Sequence, residues 1–279
     1  MTGILFIRKS LKTEIFNSME FLTILLSGLL AVVSPVGVVI DKVIESNFRS
    51  RLEKVEQLQV RVDNAPSFQA LQGKVEKVRI AGRGLWLTPN VRIEALEMET
   101  DPINLDLQRL RQGNEESPRA SFRQPVQAGL RLVLTEADLN QTLQSPTVKA
   151  RLRSVASRLL GGTPERYEFL NPRVDLLDND RIRFQVEVQE TNAELLAITV
   201  ESGLSIVAGR SLQLIEPAVS INGKVLSPVL VGGFAGGIGN RFNLRTLEEA
   251  GITARLLELD INAEELELAV FVRVDPLSQ

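Results

Sequence analysis

The chain has 279 residues, with 32 lysines and arginines against 35 acidic residues, and it contains no cysteine and no histidine. The two signs of charge are mixed along the chain, without the basic patch that nucleic-acid recognition uses, so we predict no nucleic-acid partner. The absent residue types exclude thiol nucleophiles, imidazole bases, disulfides and nearly all zinc, haem and iron–sulfur ligation. We therefore predict no metal and no cofactor.

Residues 1–34 are predicted to be a hydrophobic signal or anchor segment. The run Phe21–Ile40 carries no charge and is long enough to span a membrane. Val33 stands where a signal peptide has a small residue before its cleavage site, which favours an uncleaved anchor. The expected partner of this segment is a membrane, and the alternative is a buried hydrophobic helix in a soluble protein.

The next part of the chain changes its hydrophobic period once. Apolar residues recur at helical spacing from Val36 to Val55, which predicts an amphipathic helix. From Leu58 onward apolar and polar residues alternate, which predicts β-strands. Residues 111–125 lose the alternation and gain charge, serine and proline, which is typical of a loop. We predict one domain, residues 35–275, in two lobes with this loop between them.

The second lobe is predicted to open with a strand, Val126 to Leu134, followed by two helices. Thr135 suits the N-cap of the first helix, because Asp138 stands at the third helical position as in a capping box. Ser145–Pro146 suits the start of the second helix, with serine as the cap and proline at the first helical position.

The remaining residues are dominated by strand patterns. Ile182–Val188 and Leu266–Val274 alternate most clearly, and Asp178–Asp180 and Asn222–Gly223 provide the residues of tight hairpin turns. The predicted fold class is α+β, a long antiparallel sheet with one apolar face that amphipathic helices cover.

The glycine-rich stretch 227–242, SPVLVGGFAGGIGNRF, matches neither a Walker phosphate loop nor a dinucleotide-binding loop. Ser227–Pro228 instead favours a helix start. Such a helix has a glycine side and an apolar side, which predicts either tight packing on the sheet or contact with lipid. The residues predicted for lipid contact are Leu230, Phe234, Ile238 and Phe242, with Arg241 and Arg245 beside them for phosphate headgroups.

No catalytic constellation is visible in the sequence. Carboxylate pairs such as Glu248–Glu249 are adjacent in the chain, so their side chains point in different directions in a helix or a strand. No serine lies in a GxSxG motif, and a triad cannot form without histidine. We therefore predict that the protein is not an enzyme.

Three stretches carry a resemblance to a known family: SPVGVVIDKVIESNFRSRLEKVEQLQVRVDNAP, GKVEKVRIAGRGLWLTPNVRIEALEMETDPI and LELDINAEELELAVFVRVD. Together with the hydrophobic amino terminus they resemble the LmeA-like phospholipid-binding proteins of the bacterial envelope, over about Pro35 to Asp275. The resemblance implies a fold similar to tubular lipid-binding domains, in which a long curved antiparallel sheet wraps amphipathic helices. It brings no catalytic residues to this chain.

The resemblance also implies a function and a location. The expected function is non-enzymatic phospholipid binding, as a lipid carrier or sensor. The expected location is the cell envelope, the periplasm or the lumen of an internal membrane system, with the protein anchored to the membrane or exported. The alternative is an envelope scaffold whose groove is filled by its own helix at Val36–Val55, and a third hypothesis is a lipid-modifying enzyme.

Overall fold

The computed structural model describes residues 40–64, 69, 72–111, 118–160, 163, 166–190, 194–227, 231 and 244–277. Within them the helices are α1 (Ile40–Arg49), α2 (Leu107–Arg111), α3 (Glu136–Leu143) and α4 (Pro146–Leu160), with 3-10 turns at Pro118–Ser121 and Leu244–Ala250. The strands are β1 (Lys54–Asp63), β2 (Lys74–Val75), β3 (Lys77–Thr88), β4 (Val91–Thr100), β5 (Ile103–Asn104), β6 (Val126–Thr135), β7 (Tyr167–Leu177), β8 (Arg181–Glu190), β9 (Leu196–Val207), β10 (Ser211–Ile221), β11 (Lys224–Val225), β12 (Ile252–Ile261) and β13 (Glu265–Val274).

Strands from both ends of the domain build a six-stranded antiparallel sheet in the order β1-β3-β4-β6-β13-β12. Because successive side chains of a strand point to opposite faces, its apolar residues collect on one side. Ile80, Met98 and Leu130 are register neighbours on that side, and all three are buried. Helix α1 adds Ile44 and Phe48 to the same cluster, which is the main hydrophobic core.

The helix predicted for Val36–Val55 is shorter in its described part. Helix α1 ends at Arg49, and Val55 already lies in β1. Backbone bonds from Arg51 N to Phe48 O and from Leu52 N to Arg49 O, each spanning three residues, tighten its last turn. The start of the predicted helix, before Ile40, lies outside the described residues.

A second, five-stranded sheet has the order β11-β10-β9-β8-β7, so each strand is joined to the next by a hairpin. Both predicted hairpin turns are confirmed, between β7 and β8 and between β10 and β11. Asn179, Asp180 and Asn222 adopt positive φ there, a conformation that asparagine and aspartate tolerate better than other non-glycine residues. The short strands β2 and β5 form a separate pair.

Helix α3 lies between the two sheets. Its predicted capping box is confirmed: Thr135 Oγ1 accepts a hydrogen bond from Asp138 N at 3.2 Å, and Asp138 Oδ2 accepts one from Thr135 N at 3.1 Å. Asp138 also pairs with Arg92 of β4 at 2.9 Å. On another side of the helix, Glu136 Oε2 accepts a hydrogen bond from Leu176 N of β7 at 3.1 Å. The helix therefore connects the first sheet to the second.

The predicted fold class is confirmed for the antiparallel sheet, and the described residues are mainly β with few helices. The strands divide into two sheets instead of one long sheet wrapped around helices. At the edge of β7, α3 occupies the place where a further strand would pair. Strands from both sides of the predicted loop near 111–125 enter the six-stranded sheet.

The second predicted helix of this region is confirmed as α4. It begins at Pro146, and Ser145 Oγ accepts a hydrogen bond from Val148 N at 3.3 Å, as expected of an N-cap serine. Within the described parts of the chain, no helix has both the length and the apolar character needed to cross a membrane. The predicted anchor segment, residues 1–34, lies outside those parts.

Candidate functional site

One face of the five-stranded sheet is apolar. A row of register neighbours crosses four strands through Val174, Phe184, Val200 and Val219. Strand β9 is regular between Ile198 and Leu204. Ile198, two positions before Val200, and Leu204, four positions after it, therefore lie on the same face as Val200. We call this surface, defined by the row and by Val186, Ile198, Leu204 and Leu214 in the flanking rows, the apolar face.

The opposite face of the same sheet carries the charges. Glu201, next to Val200 in β9, accepts hydrogen bonds from Arg183 at 2.9 Å and from Arg181 at 3.1 Å. These two guanidinium groups hold the pKa of Glu201 below its ordinary value, and the hydrogen bond from Arg183 has the larger effect. The sheet is therefore amphipathic, as expected of an antiparallel sheet with one face in water.

The apolar face is buried at Val186 and Val219, which are 5% and 8% exposed, and only partly buried at its other members. Phe184, Val200 and Leu204 all keep a partial exposure, whereas Ile80 and Leu96 on the inner face of the six-stranded sheet are 1% and 0% exposed. A closed protein core is packed at nearly crystalline density, and its side chains have little remaining contact with water. The first sheet has such a core, and the apolar face of the second sheet presents aliphatic surface that a ligand can still cover.

A single polar residue interrupts the middle of the apolar face. Ser202 is 1% exposed, and its hydroxyl oxygen lies 2.8 Å from Gly203 O and 3.0 Å from Ile215 O, so its one proton is shared between the two carbonyl acceptors. The second acceptor lies at the β-bulge of β10, where the register with β9 shifts between Ile215 and Ala218. The hydroxyl therefore satisfies the irregular backbone and adds no free polar group to the surface.

The two sheets meet where hairpin turns of the second sheet contact β12. Asp180, in the turn before β8, donates its N–H to Ile261 O at 3.2 Å and accepts a bond from Ile261 N at 2.9 Å. Gly209, in the turn before β10, accepts a bond from Leu256 N at 2.8 Å. Leu256 and Leu259 of β12 are themselves partly exposed. Aliphatic surface therefore lies on both sides of this joint between the sheets.

Three arginines lie at the same joint. Glu248, in the turn Leu244–Ala250, lies 3.0 Å from Arg255 Nη2 of β12 and 3.8 Å from Arg210 Nε of the β9–β10 turn. Arg245 belongs to the same turn and is exposed. Two guanidinium groups therefore share one carboxylate, and Glu249 is exposed in the same turn as Arg245.

The residues predicted for lipid contact fall almost entirely outside the described residues. Arg245 alone is described, in the turn at the joint, and the others are Leu230, Phe234, Ile238, Arg241 and Phe242. Residues 228–230 and 232–243 lie outside the described residues, and Leu244, the next described residue, donates its N–H to Arg210 O at 2.8 Å. The predicted lipid contacts of these six residues stay a prediction.

The apolar face itself was not predicted residue by residue. The alternation of Ile182–Val188 indicated one of its strands, and a similar alternation in residues 196–206 was available in the sequence. Alternation shows which residues of a strand share a face, but it does not show whether that face is closed by a core or left partly exposed.

The ligand class follows from comparison with protein families. The family model described as LmeA-like phospholipid-binding matches residues 32–271, which includes the five-stranded sheet, the joint and all of the six-stranded sheet except the last three residues of β13. The chain belongs to this family. Membership in the LmeA-like family confirms the resemblance and gives phospholipid binding as the general activity. Searches of curated proteins and of solved structures found no match to the chain.

A phospholipid joins aliphatic chains to a phosphate-bearing headgroup, and the described surface of this LmeA-like protein offers chemistry for both parts. The apolar face has no charged side chain in its central row. The joint carries Arg210, Arg245 and Arg255. Among the described residues, no group of three or more acidic side chains could hold a metal ion.

Proposed function

We propose that this protein binds a phospholipid without transforming it, with the acyl chains lying against the apolar face of the five-stranded sheet. The observation that carries the proposal is the partial exposure of Phe184, Val200 and Leu204 on a face with an uncharged central row. Burying a methylene group is worth about 0.8 kcal/mol, so a single acyl chain that covers this face gains several kcal/mol.

The dimensions of the face suit an acyl chain. Strands β9 and β10 contain 12 and 11 residues, and a strand rises about 3.3 Å per residue, so they extend over roughly 35–40 Å. The hydrocarbon core of a bilayer is about 30 Å thick, so one acyl chain spans about 15 Å. An acyl chain therefore fits along the strands with room to spare at either end.

The headgroup is proposed to lie at the joint between the sheets. Arg210 and Arg255 share the carboxylate of Glu248 there, and a phosphate can replace that carboxylate as their partner. Arg245 stands in the same turn, and Arg241 is proposed to contribute from the preceding segment. This assignment places the charged end of the lipid beside the end of the apolar face that holds Leu204 and Leu214.

We further propose that the protein acts as a lipid carrier or sensor and is attached to a membrane through residues 1–34. Its proposed location is the bacterial envelope or the lumen of an internal membrane system. The uncharged run Phe21–Ile40 supports the attachment. Family membership supports the ligand class. A protein that carries or senses a phospholipid must reach a membrane to exchange it, which an attached domain does without diffusing.

The test compares two glutamate substitutions at neighbouring positions of β9. Val200→Glu places a charge on the apolar face, where it lacks solvation once an acyl chain covers it, whereas Thr199→Glu places the same charge on the opposite, polar face. Native mass spectrometry of the full chain after incubation with phospholipid vesicles measures the lipid bound per chain.

Bound phospholipid is expected for the parent and for Thr199→Glu, and its loss is expected for Val200→Glu. Equal lipid content in both variants would place the acyl chains elsewhere. An unliganded parent protein would instead favour the scaffold alternative, and recovery of a chemically altered lipid would favour an enzyme. Circular dichroism of both variants verifies that the sheets are intact.

A further inference from the structure

The six-stranded sheet has a leucine that points to solvent on its outer side. In β12 the register with β13 shifts from Leu256 opposite Val270 to Glu258 opposite Ala269, which leaves Leu257 without a partner position. Leu257 is 64% exposed. A single exposed leucine is common on protein surfaces and identifies no site by itself.

A cleft lies directly beside Leu257. Its volume is about 530 Å³, and its wall includes Leu257 itself. Its floor is formed by small residues, whose side chains project little from the outer face of the sheet: Ala81, Gly129 and Ala269. A Cβ atom built on Gly129 meets no other atom within 4 Å, so the space above this strand is open. The cleft has room for an apolar side chain from another molecule.

The rim of the cleft is charged with both signs in equal number. Arg79 lies 2.7 Å from Glu99, and Arg131 lies 3.8 Å from Glu97 and 2.5 Å from Glu267. The ion pairs of Arg61, Asp63 and Lys77 continue on the same face, so four cationic and four anionic side chains sum to no net charge, and a uniformly anionic or cationic surface gains nothing there. A surface that carries the same alternation can place each arginine opposite a glutamate, and a second copy of this chain is such a surface.

We propose that this outer face is the interface of a two-fold symmetric homodimer, in which Leu257 of each copy packs into the cleft of the other. In a two-fold symmetric dimer both subunits use the same patch, so this patch must contain both an inserted side chain and a cleft that receives it. The outer face contains both. The arginines and glutamates of the rim surround the apolar centre, as polar residues do in protein interfaces. The interface lies on the outer face of the first sheet and leaves the apolar face of the second sheet free.

The mass of the full chain in solution, measured by light scattering during gel filtration over a range of concentrations, tests this proposal. The parent is expected to be a dimer. Leu257→Glu removes the inserted side chain, and Gly129→Leu fills the receiving cleft. Each change is expected to weaken dimerisation by about 30-fold or more, the size of a central interface contact. Leu277→Glu, at another leucine that is 40% exposed, is the matched control and is expected to remain dimeric.

Three outcomes would overturn the dimer. One is a parent that stays monomeric at every concentration, and another is a dimer that survives both Leu257→Glu and Gly129→Leu. The third is a loss of vesicle binding in these variants with no change in mass, which would assign the face to a membrane surface. Unchanged circular dichroism spectra of the variants show that the changes act at the interface and not on the fold, because weaker dimerisation by itself lowers the unfolding midpoint.

Discussion

The side-chain amide of Asn140 pairs with both backbone groups of Val174. Asn140 Nδ2 donates to Val174 O at 2.7 Å, and Asn140 Oδ1 accepts from Val174 N at 2.8 Å. Asn140 lies in α3 and Val174 in β7, the outermost strand of the five-stranded sheet. The helix side chain therefore makes the two bonds that a neighbouring strand would make, and the sheet ends there.

Two further side chains, one on each side of Asn140, also bond to the backbone of β7. Glu136 and Gln144 stand four residues before and after it, so the three side chains share one face of the helix region. Glu136 accepts from Leu176 N at 3.1 Å, and Gln144 Nε2 donates to a backbone carbonyl of β7 at 3.0 Å. The edge of β7 is thus satisfied along its middle by a row of polar side chains.

Asn140→Ala is expected to lower the free energy of unfolding by about 2–4 kcal/mol, because it leaves two partly buried backbone groups of β7 unpaired at about 1–3 kcal/mol each. Gln141→Ala is the control at the next position, since Gln141 is exposed and makes a single bond, to Pro89 O at 3.1 Å. Urea unfolding measures both. Equal losses in the two variants would show that the edge of β7 is not held by Asn140.

Asp138 links the same helix to the first sheet through Arg92, and the chain's single tryptophan reports on that link. Asp138 is 3% exposed, its Oδ1 lies 2.9 Å from Arg92 Nη1, and the Arg92 guanidinium lies 4.8 Å from the centroid of the Trp86 ring. Lys54 Nζ lies 4.5 Å from the same centroid. The ring is therefore in contact with two cations.

Asp138→Asn is expected to destabilise the fold by about 2–4 kcal/mol, because a buried ion pair loses one partner. It is also expected to change the fluorescence of Trp86, because Arg92 then keeps only its more exposed partners, Glu94 and Glu56. Glu94→Gln is the control, since Glu94 also pairs with Arg92, at 2.7 Å, but is more exposed. It is expected to cost less than about 1 kcal/mol. An unchanged emission spectrum in Asp138→Asn would contradict the link.

Local features of the fold could be predicted from the sequence because their causes are local. The Thr135 and Asp138 capping box, the start of α4 after Ser145 and the hairpin turn at Asn222 each depend on residues within a few positions of one another. The side chains that form them are printed in the sequence at the required spacing, so no knowledge of distant strands is needed.

The division into two sheets and the apolar face depend on contacts between distant residues. Leu130 of β6 pairs with Val270 of β13, and Asp180 of one sheet bonds to Ile261 of the other. Hydrophobic alternation is the same for a strand in either sheet, so it does not show which strands become neighbours. The partial exposure of Val200 follows from that arrangement, and it could not be predicted from β9 alone.

Glu201 is expected to make stability depend on pH. Hydrogen bonds from Arg183 and then Arg181 lower the pKa of Glu201 in the folded state relative to its ordinary, unfolded value. A lowered folded-state pKa stabilises the fold at pH values above the unfolded pKa of about 4.3, and this stabilisation is lost as the pH falls through the folded-state pKa.

The measurement compares the parent with Glu201→Gln by urea unfolding from pH 7 to pH 3. The parent is expected to be more stable at pH 7, and the difference is expected to shrink as the pH falls below about 4. Glu168→Gln, at an exposed glutamate of the same sheet, is the control. A difference that stays constant over this range would show that the charge of Glu201 contributes nothing to stability.

Phe184 gives the acyl-chain proposal a quantitative form. Its ring lies in the central row of the apolar face between Val174 and Val200, and it is partly exposed. Full burial of such a side chain is worth roughly 1.5–3 kcal/mol, and a ligand that covers the ring gains part of this free energy. Phe184→Ala is therefore expected to raise the Kd of the phospholipid about tenfold. Gln185→Ala, on the opposite face, is expected to leave the Kd unchanged.

The same contact is tested by changing the ligand. The Kd is measured for a series of phospholipids that differ only in acyl length, each kept below its micelle-forming concentration. Each added methylene that reaches the face is expected to tighten binding by up to about fourfold, which corresponds to ~0.8 kcal/mol. The increments are expected to be smaller in Phe184→Ala for the methylenes that lie over the missing ring. Binding that ignores acyl length, or increments that are identical in parent and variant, would mean that the acyl chains do not contact Phe184.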